Sequence, residues 1–419
     1  MTVVGAQSAS ALVALFVDAF LFHKLTKNEQ GALSSGLAVA AVLLQASDLG
    51  LALTTIRLGA HYIAAGRSDL ARALFRKTLV ARVAFAALVI GGAALFPERI
   101  SRDVLSMQNG RIVVAVAALG VFGNAIVWWG VDVAQARRAF GSYAVQQIAA
   151  ALLRGLAVFA AFAWLAGNAT SQSAVSILAV IAAGNLAAGI FSLSISCGAL
   201  RDSGECSAPL QRNEAAHIRL FEFGAYAAVI SALTALSANA DVFLVQHFLG
   251  EEDTAVFACA RRLAMALNLL STAGLTVLLP RASALNSRAE CADYVRKAVA
   301  LGIAAAIFSA GGLALAGGIF VPIFGGPNYT ASIPILRWLC VAHGIGMVLT
   351  PLMLVLYPLR REGYIVFVNA LLLGANVVFG IWLTPSYGLK GAAWALIGAR
   401  VLMALATGAL VFRALRKQR

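Results

Sequence analysis

Twelve apolar runs separated by short polar turns constrain this chain more than any motif in it. They fall near 8–24, 33–59, 79–96, 112–134, 146–167, 173–197, 220–248, 254–280, 298–323, 331–357, 364–384 and 390–413. A helix rises about 1.5 Å per residue, so about 20 apolar residues cross roughly 30 Å of hydrocarbon. The runs are rich in Ala and Leu, which suit helices, and lack the period-two alternation of a barrel strand. Only 12% of residues are charged and 61% are hydrophobic, whereas soluble domains carry roughly a quarter charged residues. The expected fold is an all-α membrane protein of about twelve transmembrane helices.

The net charge of +14 could suggest a nucleic-acid partner, but its placement argues otherwise. Nineteen Lys and Arg lie in the alternate loops around 67–77, 137–138, 201–219, 281–297, 360–361 and the C-terminal tail. Five lie in the loops between them. That asymmetry is the positive-inside signature, and it predicts that both termini are cytoplasmic. Cys197, Cys206, Cys259, Cys291 and Cys340 form no metal-binding spacing and read as scattered buried thiols. The N-terminus has no basic n-region or cleavage site, so the first run is expected to be a retained span.

Six runs precede the polar stretch 198–217, GALRDSGECSAPLQRNEAAH, and six follow it. This stretch reads as a cytoplasmic linker between a six-helix lobe at 1–197 and another at 218–419. The halves repeat. Asp18, Phe20, Leu21 and Glu29 match Asp241, Phe243, Leu244 and Glu252 at one offset, and Gly50-Leu51 matches Gly274-Leu275 one residue later. Arg57 matches Arg281, Arg76-Lys77 matches Arg296-Lys297, and Tyr143 matches Tyr364. An offset held in order marks an internal repeat. Each half has an even number of spans, so the repeats are parallel, and such transporters place the substrate path between the halves.

Ionisable residues inside spans are costly, and they face protein or a water-filled cavity. Arg154 and Arg400 fall near the middle of their spans, and Arg261 and Arg262 lie about two turns into theirs. One reading is an electropositive cavity for an anionic head group, since a guanidinium fork suits a diphosphate. The other is buried ion pairs or bonds to backbone carbonyls. Arg261 and Arg262 are about 100° apart on a helix, so at most one faces the cavity squarely. Arg57 and Arg281 sit at inner span ends, as phosphate contacts or as positive-inside anchors. Arg337 reads as an outer-edge residue.

Asp18 and Asp241 sit near the outer ends of the spans that open each half. Each is a proton or Na⁺ site that biases opening, or a gate contact paired to an arginine or a backbone amide. Asp48, just before Leu49-Gly50, is expected to shape the inner end of the second span. Asp132 reads as solvated beside Arg137 and Arg138. The five histidines are spread over loops and span edges, and no Ser/His/Asp, His/Glu or phosphate-loop motif appears. No catalytic role and no cofactor is therefore expected.

Four stretches carry a family likeness: ASDLGLALTTIRLGAHYIAAG (46–66), FLVQHFLGEEDTAVFACARRL (243–263), PIFGGPNYTASIPILRWL (322–339) and PSYGLKGAAWA (385–395). In these the chain resembles the polysaccharide-export flippases, Wzx type, of the multidrug/oligosaccharidyl-lipid/polysaccharide (MOP) superfamily. The resemblance covers essentially the whole chain. It implies a MATE-like bundle of two parallel six-helix lobes working by alternating access. The implied cargo is an undecaprenyl-pyrophosphate-linked oligosaccharide, moved across the bacterial cytoplasmic (inner) membrane for O-antigen, capsule or exopolysaccharide. The implied partners are that lipid-linked glycan, membrane lipids, H⁺ or Na⁺ as coupling ion, and the polysaccharide polymerase and export machinery. The chain ends after the twelfth run, which weighs against the lipid II branch. Its central charges are mostly arginines, which weighs against the alternative, a multidrug/cation antiporter. The outer loops are short, which weighs against a membrane-embedded glycan polymerase or ligase.

Overall fold

The computed structural model describes residues 3–107, 110–165, 173–202, 225–271, 288–354 and 362–416. No strand occurs among the described residues. The helices are α1 (Val3–Lys24), α2 (Lys27–Asp48), α3 (Leu51–Ala64), α4 (Ser68–Leu95), α5 (Gly110–Ala136), α6 (Phe140–Leu165), α7 (Ala174–Asp202), α8 (Ala225–Leu249) and α9 (Glu251–Met265). They continue with α10, which starts at Arg288, passes through a π-helical segment at Ala306–Gly311 and ends at Gly325. α11 (Ser332–Leu354) and α12 (Glu362–Arg416) complete the described chain. Cys206 and most of the 198–217 linker lie outside the described residues.

Among the described residues, eleven helices are long and apolar enough to cross a membrane. The last of these covers 51 residues, Gly363–Arg413, more than twice the length of one span. It is broken at Gly388, where φ is 60° and ψ −141°, a backbone conformation that only glycine adopts readily. The chain reverses there, and a Cβ on Gly391 would collide with the Leu383 carbonyl. α12 therefore supplies two spans, which brings the spans among the described residues to twelve.

The helix ends follow from local chemistry. Thr26 and Glu29 form a capping box at the start of α2: Glu29 Oε2 accepts from the Thr26 amide at 3.1 Å and from its hydroxyl at 2.8 Å. α9 opens with Glu251, Glu252 and Asp253 in its first turn, where acids complement the helix dipole. Pro334 stands in the first turn of α11, where its missing N–H costs nothing, and Pro351 lies inside that helix. The single run expected over 33–59 is two helices instead. α2 stops at Asp48, Leu49 and Gly50 take φ of 43° and 77°, and α3 restarts at Leu51.

By contact the chain divides into two compact units, Met1–Asp18 with Gly36–Ala235, and Ala19–Ser35 with Leu236–Arg419. In the first, α5 is the central element. It buries Val127 and Val131 against Ala150 of α6 and Ala188 of α7, and Trp129 and Val133 against Phe75 of α4. The Trp129 indole donates to the Phe75 carbonyl at 3.0 Å. In the second unit, Phe22 packs on Phe324 and Tyr329 with ring centroids 5.3 and 5.2 Å apart. Ser35 donates to Gln246 at 2.9 Å. The Tyr329 hydroxyl, in the turn before α11, is buried, and burial pushes its pKa up and keeps it protonated.

Candidate functional site

The second unit gathers three charged side chains and a buried histidine from four helices. Asp241 of α8 is buried, and its Oδ2 lies 3.4 Å from Arg261 Nε of α9. Asp241 Oδ1 accepts the backbone N–H of Val242 at 2.9 Å. Arg261 reaches back along α8, donating to the Ala238 carbonyl and, at 3.3 Å, to Asn239 Oδ1. Arg400, in the second limb of α12, donates to the Ala342 carbonyl of α11 at 2.9 Å and lies within electrostatic reach of Asp241. Its guanidinium fits because residue 346 is glycine, where a Cβ would overlap Arg400 Nη1. His343 of α11 is buried, and its Nδ1 stands 3.1 Å from Asn268 Oδ1. Arg261 is thus paired with Asp241, and Arg400, held by the Ala342 carbonyl, lies within electrostatic reach of the same carboxylate.

The first unit holds a second cluster. Arg82 of α4 has only 2% of its side chain exposed and sits between two carboxylates. One guanidinium nitrogen donates to Asp48 at the end of α2, and the other donates to Asp132 of α5 at 2.9 Å. Asp48 Oδ1 also accepts the Ala52 amide at 3.2 Å, so it bridges the break between α2 and α3. Asp132 is therefore buried in an ion pair rather than solvated beside Arg137 and Arg138. Burying ions in a low dielectric is costly, so the three groups must stay together to be tolerated.

The remaining candidates are dispersed. Arg154 is half-buried on α6, and its Nε donates to the Ala150 carbonyl one turn back at 3.1 Å. Arg57 is exposed on α3, Arg262 half-buried on α9 and Asp18 half-buried on α1. Arg337 is exposed on α11. Arg281 and the repeat pair Gly274-Leu275 lie outside the described residues. Arg82 and His343 are the site residues that sequence reasoning missed. Arg82 stands only five positions past Lys77, so it passes for the edge of a basic loop. His343 stands eleven residues into α11, well inside a span, and that depth was its signal. Among the described residues no three His, Cys, Asp or Glu side chains gather as metal ligands.

Comparison with known proteins agrees with this architecture. The family model for polysaccharide biosynthesis proteins matches residues 2–286. No curated protein sequence matches the chain. Among solved structures, the lipid II flippase MurJ in an inward closed conformation superposes with a TM-score of 0.74 at 11% identity, over 98% of this chain and 88% of that one. An inward-facing multidrug resistance MATE family transporter of the MOP superfamily gives 0.67 at 15% identity, over 97% and 99%. A MOP superfamily transporter from Pyrococcus furiosus, described as having a binding pocket of reverse polarity that suggests a different function, gives 0.54 at 15% identity, over 98% and 96%. At these identities the likeness establishes the shared fold, and the family match covers well over half the sequence. This multi-pass membrane protein therefore belongs to the polysaccharide biosynthesis protein family, on the fold of the MOP flippases and transporters.

Proposed function

We propose that the chain is a flippase carrying an undecaprenyl-diphosphate-linked oligosaccharide across the bacterial cytoplasmic membrane by alternating access, for surface polysaccharide synthesis. One observation carries this reading. In a family of polysaccharide biosynthesis proteins, Arg261 and Arg400 present two guanidiniums against the single carboxylate of Asp241. Among the described residues this leaves one positive charge in excess, which suits an anion, and a diphosphate matches the planar donor fork of arginine. The head group would engage these arginines while the polyprenyl chain stays in hydrocarbon, where it gains from apolar contact. Arg262, Arg154, Arg57 and Arg281 are candidates for meeting phosphate at other stages of its path. Asp18, Asp241 and Asp48 are candidates for gating or for coupling to H⁺ or Na⁺. The clustering of basic loops implies cytoplasmic termini.

A cation antiporter of the same superfamily would need carboxylates open to its cargo. Here Asp48 and Asp132 are engaged by Arg82, and Asp241 by Arg261. The fold-level likeness to MATE transporters does not itself supply that alternative with a site, and Asp18, half-buried on α1, is the acid it would have to act through. The testing experiment depletes the protein in its native cell and identifies the polyprenyl lipids that accumulate by mass spectrometry. Sidedness is read with an added glycan-cleaving enzyme. One undecaprenyl-diphosphate oligosaccharide building up on the cytoplasmic face is the expected result. Unchanged lipid pools with heightened sensitivity to cationic compounds would replace this reading with the antiporter.

A further inference from the structure

His343 is a buried titratable group set among the residues proposed to hold the head group. It lies on the face of α11 that Arg400 also contacts: Arg400 binds the carbonyl of Ala342 and fits against Gly346, on either side of His343 in sequence. Asn268 Oδ1 can only accept, so the 3.1 Å contact makes His343 Nδ1 the donor and leaves Nε2 as the ring position open to a proton.

The charged groups acting on this imidazole come from each polar element around it. α9 contributes Arg261, the stretch just past its end the neutral Asn268, the second limb of α12 Arg400, and α8 Asp241 through its pair with Arg261. α10 meets α11 through Gly302, Ala306, Ser309 and Ala310, none of which titrates. With the site empty, His343 therefore lies within electrostatic reach of two guanidiniums, one of them paired to Asp241. A bound diphosphate diester adds two negative charges beside the same guanidiniums.

We propose that His343 takes up one proton on Nε2 when a diphosphate head group binds the Arg261–Arg400 cluster, so that occupancy of the site is linked to pH. The proton comes from solvent, no covalent bond to substrate forms, and it returns to solvent when the head group leaves. The linkage is reciprocal. If the bound anion raises the proton affinity of His343, the protonated imidazole raises the affinity for the anion by the same factor. Binding is then tighter at lower pH, and it weakens as pH rises through the range in which the occupied site releases its proton. This inference rests on the head-group reading above and adds to it a proton-binding residue.

The test uses the full chain in nanodiscs and, as probe, undecaprenyl diphosphate carrying one N-acetylglucosamine, a diester with no titration near neutrality. Affinity is measured from about pH 5.5 to 8, the window in which histidine titrates, for the wild type and for His343→Gln, which retains a donor toward Asn268. Proton uptake by the wild type is measured separately, by calorimetry in buffers of different ionisation enthalpy, so the result does not depend on the variant folding. The expected result is uptake of up to one proton and an affinity that falls by up to about tenfold per pH unit, with a flat profile for His343→Gln. Binding without proton uptake, or the same pH slope in both proteins, would overturn the role of His343 and leave the head-group site standing. Failure of the wild type to bind the probe at any pH would overturn the head-group reading itself, and this inference with it.

Discussion

Arg261 Nε stands 3.4 Å from Asp241 Oδ2, with 13% and 6% of the two side chains exposed, so each is the other's counter-ion inside the second unit. Removing one partner of such a pair leaves the other buried and uncompensated, at a cost of about 3–5 kcal/mol. Arg261→Ala should therefore lower thermal stability markedly. Adding Asp241→Asn should restore most of it, because the stranded charge is gone. Export should stay lost in both if Arg261 also holds the head group. Recovery of export in the double variant would reduce the pair to a packing contact.

The Asp48–Arg82–Asp132 cluster makes a contrasting prediction. Its arginine is enclosed and already holds two carboxylates, so its work is to fix the ends of α2 and α5 against α4. Arg82→Met should destabilise the protein by about 3–5 kcal/mol or more, since two buried carboxylates lose their partner. Combining it with Asp48→Asn and Asp132→Asn should recover folding, measured by thermal unfolding in detergent, and a return of export with it would remove Asp48 from the coupling candidates. A triple variant that folds but does not export would give the cluster a part in transport.

The twelve spans were legible because hydrocarbon thickness sets their length and because only an internally hydrogen-bonded helix survives there. The doubled hairpin was legible too. Lys24, Thr26 and Glu29 frame the turn before α2 as His247, Gly250 and Glu252 frame the turn before α9. Less legible was which charge meets which. Arg82 and Asp132 are fifty positions apart and meet only because α4 and α5 pack side by side. The depth of His343 within the 331–357 run was readable, but the partner it meets, Asn268, is 75 positions away and was not. The repeat itself hid an asymmetry. The position matching Arg261 at the offset of Asp18 and Asp241 is Ala38, which is buried, so the ion pair of the second unit has no copy at that site in the first.

α12 carries a topological prediction. A 51-residue apolar segment would be roughly 75 Å long as one straight helix, far beyond the roughly 30 Å of hydrocarbon. The break at Gly388 makes it two crossings, so both chain ends should lie on one side of the membrane. A C-terminal green fluorescent protein should fluoresce, and a C-terminal alkaline phosphatase should be inactive. The opposite pattern would mean an odd number of crossings or an inverted orientation.

Gly346 and Arg400 separate binding from folding. Gly346→Ala adds a Cβ where Arg400 Nη1 now lies, but the obstructed group is the end of a flexible side chain, which can turn aside. Alanine also favours helix over glycine by about 1 kcal/mol, so the variant should fold at least nearly as well as the wild type. What it should lose is the 2.9 Å bond to the Ala342 carbonyl that aims the guanidinium. A hydrogen bond to a charged group contributes about 1.5–3 kcal/mol, roughly ten- to a hundredfold in head-group affinity. Arg400→Ala should lose at least as much, and Arg154→Ala, acting in the first unit, should also impair export without unfolding the protein if it meets phosphate elsewhere on the path. Accumulation of the lipid-linked glycan in cells expressing each variant, set beside its melting temperature, checks all three. Normal export by well-folded Gly346→Ala and Arg400→Ala proteins would remove the second guanidinium from the site and leave Arg261 to hold the diphosphate alone.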